Sequence, residues 1–126
     1  MSQFLKAFNS HFLEFVEDVK RVFPNDVDIA TAASALEKLK KANPRLIIMA
    51  FKQYVSNPYK QEIESGELDF FINKDYSTDL TGTSSSSVIL EKIDLLRKPI
   101  SEMNNDDQQK VIKYLQNLTK LADMYN

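Results

Sequence analysis

The chain has no cysteine, two glycines and one histidine among its 126 residues, and each scarcity removes a class of chemistry. Without cysteine there is no disulfide, thiolate metal site or thiol nucleophile, a composition that suits a reducing compartment. No glycine-rich segment of the kind that cradles phosphates occurs. The longest uninterrupted apolar run, Leu46 to Phe51, is six residues, whereas a membrane-spanning helix needs roughly 20. The first residues lack the basic stretch, apolar core and small-residue cleavage site of a secretion leader. The expectation is a protein neither secreted by that route nor spanning a membrane. A net charge of −2 and a pI near 5.4 argue against a wholesale nucleic-acid coat.

Aromatic and aliphatic residues are abundant, and they are periodic. Phe4, Phe8, Phe12 and Phe15 continue through Val19 to Val22 at steps of three or four, which draws one apolar stripe along an α-helix. Such a stripe must be covered by other elements, and the rest of the chain supplies further helical stripes and no convincing strand. The fold class expected is all-α: a single-domain bundle of about five to six helices. A chain of this length and 43% apolar content buries roughly two-thirds of its unfolded surface.

Punctuation places the helices. The first spans about 3–23, capped near Ser2 and stopped before Pro24. The second runs over 29–42 behind Asp28 as cap, with a small alanine face. Asn43-Pro44 and Asn57-Pro58 each read as one helix ending and another starting, giving helices at 44–56 and 58–65. The first of these, with Leu46 to Phe51, Tyr54 and Val55, is apolar almost all round and is expected at the centre. Gly66 suits a left-handed helix end, and Leu68, Phe71 and Ile72 suggest a short helix at 67–73. Residues 77–87 hold eight serines or threonines in eleven positions, too few apolar groups to offset ordering a backbone, and read as a mobile loop. Helices at 87–98, ended or kinked by Pro99, and at 105–125, opened by Asn104 and an acidic turn, complete the set. The first and last helices are the longest and are expected to pack together.

Charge is uneven along the chain. Residues 37–60 carry six basic and one acidic side chain, and 61–80 carry one basic and six acidic. Within the basic block, Lys38, Lys40, Lys41, Arg45 and Lys52 form a candidate phosphate or nucleic-acid patch, although no zinc-finger, RNP or glycine-clamp motif accompanies them. The bland alternative is a solvated helix face. Phe70, Tyr76 and Leu80, in the acidic segment, are candidates for anchoring a protein partner, or else fold back as a lid on the core.

No catalytic, cofactor-binding or metal site is expected. His11 lies beside the aromatic stripe near Glu14 without the ligands zinc needs or a nucleophile to serve. Asn73, Asp75, Ser77 and Asp79 alternate like the start of a calcium loop, but Thr78 and Ser84 stand where that loop needs glycine and glutamate. The serine tract and Asn117-Leu118-Thr119 match modification patterns of low specificity, the second inside a helix.

The segments FVEDVKRVFPNDVDIATA, KKANPRLI, DFFINKDYSTDL, LRKPISEM and YLQNLTKLADMY, spread over most of the chain, resemble an uncharacterised family of small proteins from nucleocytoplasmic large DNA viruses, relatives of the phycodnaviruses and mimiviruses. The resemblance implies a viral protein working inside the infected cell or in the virion, and it transfers no catalytic residue. The function expected is a non-enzymatic helical binding or adaptor protein, a virion or assembly component gripping a protein partner or a second copy of itself. The alternative is a nucleic-acid-associated accessory factor in viral replication or transcription.

Overall fold

The computed structural model describes residues 3–68 and 95–125, and all regular structure among them is helical. Helix α1 spans Gln3–Val22. It ends one residue before the expected Phe23, because Pro24 has no amide to continue the ladder. Its buried arc is Leu5, Phe8, Asn9, Phe12, Phe15, Val16 and Val19. The arc is rotated slightly from the expected stripe, leaving Phe4 half-buried and Val22 40% exposed.

Helix α2 spans Val27–Ala42, and its cap is Asp26 rather than Asp28. The Ile29 amide donates to Asp26 Oδ1 at 3.1 Å. Asp28 instead sits in the first turn, where its charge complements the helix dipole. Ile29, Ala32, Ala33 and Leu36 form the buried face, so the small side chains admit α1 closely.

The two asparagine–proline pairs behave differently. At the first, Asn43 is extended, and its Oδ1 accepts from the Arg45 amide at 3.2 Å. Pro44 lies in this turn, so α3 begins at Leu46 rather than at 44 and spans Leu46–Phe51. At the second there is no break. A π-helical turn, Lys52–Ser56, leads directly into α4, Asn57–Glu64. Asn57 keeps helical angles, and its amide bonds back five residues to the Lys52 carbonyl. A proline ring collides with the carbonyl four residues earlier in a regular helix, and the wider turn before Pro58 relieves that collision. Tyr59, at φ −124 and ψ 25, takes up the residual kink. The expected caesura is therefore a bulge in a continuing helix.

The central position of α3 is as expected: Ile47, Ile48, Ala50, Phe51 and Val55 are buried, although Met49 faces outward. Helix α4 closes at Gly66, whose φ of +78 is left-handed. The Gly66 amide donates to the Ile63 carbonyl and the Glu67 amide to that of Glu62, the paired bonds of a Schellman end. Glu67 and Leu68 are not helical, so the expected helix at 67–73 does not start there. Leu68 nonetheless tucks into the core.

Residues 95–101 form α5, which runs through Pro99 instead of stopping at 98. Leu96 and Ile100 are fully buried on either side of that proline, and this packing outweighs one lost backbone bond. The Ser/Thr-rich segment 77–87, the calcium-like positions 73–84 and the stretch 87–94 lie outside the described residues.

Helix α6 spans Asn105–Met124, and the Asp107 amide donates to the Asn104 side chain at 2.8 Å. Helices α1 and α6 are the longest, at 20 residues each, and they make the broadest helix pair. Asp18 meets Tyr114, while Val22 shares a cleft with Asp107, so the two run antiparallel. Between them and α3 lies an aromatic ladder. Phe8 and Phe12 stack at 6.1 Å, and Phe8 meets the edge of Phe51 at 5.3 Å.

Candidate binding cleft

A cleft of about 160 Å³ lies between the C-terminal half of α1 and the N-terminal half of α6. Phe15, Val19, Val22, Met103 and Val111 supply its apolar surface, and Asp18, Arg21, Asp107 and Lys110 stand among them. The geometry follows from the sequence locally. Phe15, Val19 and Val22 are successive steps of the α1 stripe; the first two are buried at the floor of the cleft, and Val22 is 40% exposed at its mouth.

Tyr114 forms the inner wall. Its ring lies 5.4 Å from Phe15 and 4.8 Å from His11, and its hydroxyl donates to the Asp18 carboxylate. Burial, then the hydrogen bond to Asp18 and the negative charges of Asp18 and Glu14, push the phenol's pKa well above the ordinary tyrosine value. Tyr114 therefore stays a neutral donor at physiological pH. Asp18 also accepts from Arg21 at 2.6 Å, which places a guanidinium, 76% exposed, at the rim.

His11 lies on the α1/α6 seam, half-buried. Its Nδ1 is 3.7 Å from Glu14, and its Nε2 is buried with no hydrogen-bond partner among the described residues. The arrangement packs an imidazole against a tyrosine and presents no nucleophile to it. Among the described residues no three histidine, cysteine or acidic side chains come together as a metal site. No described helix is long and apolar enough to cross a membrane.

The structure divides the expected basic patch. Lys52 is drawn inward, where its ammonium donates to the Tyr125 carbonyl at 2.9 Å and closes the C-terminal end of α6. It is thus withdrawn from the phosphate patch to which the sequence assigned it. Lys41 stands 3.9 Å from Glu37. Lys60, which adds to the charge of the same stretch, pairs with Asp123 at 2.9 Å, and that carboxylate raises its pKa. Lys38 and Arg45 remain exposed and Lys40 half-exposed. Phe70, Tyr76 and Leu80, the expected partner-binding residues, lie outside the described residues.

Two features escaped the sequence reading. Asn9 is buried in the α1 stripe, and its Nδ2 donates to the Pro44 carbonyl at 2.8 Å. The spacing Leu5, Asn9, Phe12, Val16, Val19 carried that signal, because an amide in such a row must find a partner. The Asp18–Tyr114 bond joins residues 96 positions apart, and no local pattern announces it.

No family model, no curated protein and no solved structure matches this chain.

Proposed function

We propose that the chain is a non-enzymatic helical binding or adaptor protein of a nucleocytoplasmic large DNA virus, a virion or assembly component acting in the infected cell or the particle. The viral assignment draws on the resemblance of the segments quoted above. The binding role draws on one observation: a cleft between the two longest described helices, floored by the buried Phe15, Val19 and Val111, with the exposed Val22, Arg21 and Lys110 at its mouth. Apolar surface rimmed by charge is where a protein partner gains the most from leaving water. The Asp18 carboxylate, the Tyr114 phenol and the Arg21 guanidinium are tied to one another, an arrangement suited to a fixed surface.

A nucleic-acid role would rest on Lys38, Lys40 and Arg45, since Lys41 and Lys52 have partners within the fold. Three phosphate contacts would give a shallow salt dependence, with a slope of about −3 in log K against log salt on duplex DNA. Placing a photo-cross-linking residue at position 22 in one variant and at position 38 in another, then irradiating infected cells, separates the readings. Protein adducts at 22 with nothing at 38 are expected. Nucleic acid at 38 and nothing at 22 would overturn the adaptor reading.

A further inference from the structure

The π turn between α3 and α4 does more than accommodate Pro58. An α-helix turns about 100° per residue, so in an unbroken helix Glu62, seven residues after Val55 and eleven after Phe51, would lie in line with those two buried side chains. Ile63 would lie about 100° further round. The structure has the opposite facing: Ile63 is 2% exposed and Tyr59 packs against the core, while Glu62 is half-buried to one side and Glu64 exposed to the other.

We propose that the π turn is a register lock for α4. It takes in one residue more than an α turn, the Asn57 amide closing on the Lys52 carbonyl five residues back, and so sets α4 back by about 100°. Tyr59 and Ile63 then continue the face that Phe51 and Val55 begin. The polar docking of α4 on α6 follows the same phase. Gln116 Nε2 donates to the Ile63 carbonyl at 3.1 Å, and Lys60 pairs with Asp123 at 2.9 Å. Both contacts would swing away in the unbroken register.

Ser56 shows that the turn is not the local optimum. The extra residue brings it inward to 1% exposure, and its hydroxyl has no hydrogen-bond partner among the described residues, which is unfavourable by itself. Accommodating a proline needs no such burial, since the chain at Pro44 simply turns, with Asn43 accepting from the Arg45 amide. Before Pro58 the helix instead continues, in the phase that buries Ile63.

Thermal melts of deletion variants test the lock. Deleting the exposed Gln53 removes the extra residue, and the turn can close as α-helix with α4 in its present phase. With Pro58→Ala in the same chain no ring obstructs that closure, so the combined variant should melt cooperatively within about 5 °C of the wild type. With Pro58 retained, the deletion should lower the midpoint by roughly 10 °C. Deleting the exposed Ser10, inside regular α1, should abolish the cooperative melt, because it turns Leu5 and Phe8 away from the face of Phe12 and Phe15.

A second measurement keeps the chain at full length. With Pro58→Ala alone the lock should persist, because buried side chains and not the ring set the phase. In that background Ile63→Ala should lower the midpoint by about 10 °C, and Glu62→Ala by less than about 2 °C. A Gln53 deletion with Pro58→Ala that melts no better than the Ser10 deletion would overturn the proposal. So would a Pro58→Ala background in which Ile63→Ala has no effect.

Discussion

The two ends of the α1/α6 pair are built from the same kinds of side chain and finished in opposite ways. At the end holding the start of α1 and the close of α6, cross-links converge. Asn9 bonds the Pro44 carbonyl, Lys52 the Tyr125 carbonyl, Gln116 the Ile63 carbonyl at 3.1 Å, and Lys60 the Asp123 carboxylate. Phe8 and Phe51 are sealed there. At the other end Val22 and Val27 face outward and a cleft remains. The kinked run of α3, π turn and α4 folds over the first end and not the second. Side-chain cross-links between distant segments are thus concentrated at one end, although Val19, Ile29, Leu96, Ile100 and Val111 are equally buried toward the other.

The contrast is open to direct attack. Phe8→Ala strikes the closed end at its most buried ring and should cost about 3–5 kcal/mol in denaturant unfolding, whereas substitutions at Val22 or Val27 should change stability by less than about 0.5 kcal/mol. A comparable loss at both ends would erase the distinction.

Asn9→Ala should cost about 1–3 kcal/mol by leaving the Pro44 carbonyl without its donor. The cost should fall toward the low side, because Asn9 Oδ1 has no partner among the described residues and its burial penalty is relieved at the same time. Hydrogen exchange should report the loss in the first turns of α1 and α3 and not around Met103.

Tyr114→Phe, between the two ends, should have the smallest effect near neutrality, about 1 kcal/mol, and a diagnostic one in alkali. The folded phenol holds its proton more tightly than the unfolded one. Its contribution is therefore complete below the ordinary tyrosine pKa of about 10 and is lost as pH rises beyond it. The wild type should lose stability above that pH more steeply than Tyr114→Phe, as followed by thermal melts. Equal slopes would remove Tyr114 from the account.

Much of the fold was legible because helices announce themselves locally. The Phe8–Phe12–Phe15–Val19 spacing, the Asn104 cap with its acidic turn and the Gly66 stop each act within a few residues. Reading failed where a local signal met packing of uncertain outcome. Asn57-Pro58 carries the same dipeptide as Asn43-Pro44, yet buried Val55 and Ser56 hold the residues before Pro58 as a π bulge, while at Pro44 the Asn9 side chain donates to the turn's carbonyl. Pro99 was passed for the same reason, with Leu96 and Ile100 anchored on both sides. The basic block was visible as charge, but that Lys52 bends inward to Tyr125 depends on a residue 73 positions away.

By itself the sequence determined that this chain is helical, where its main turns fall and which stripes are apolar, because propensity, capping and three-to-four periodicity are properties of neighbours in the chain. Only the tertiary structure decided which end of the bundle is sealed, which lysines remain outside and where the cleft opens. Those depend on how far each helix reaches past its partner, and that is set by packing between side chains distant in sequence.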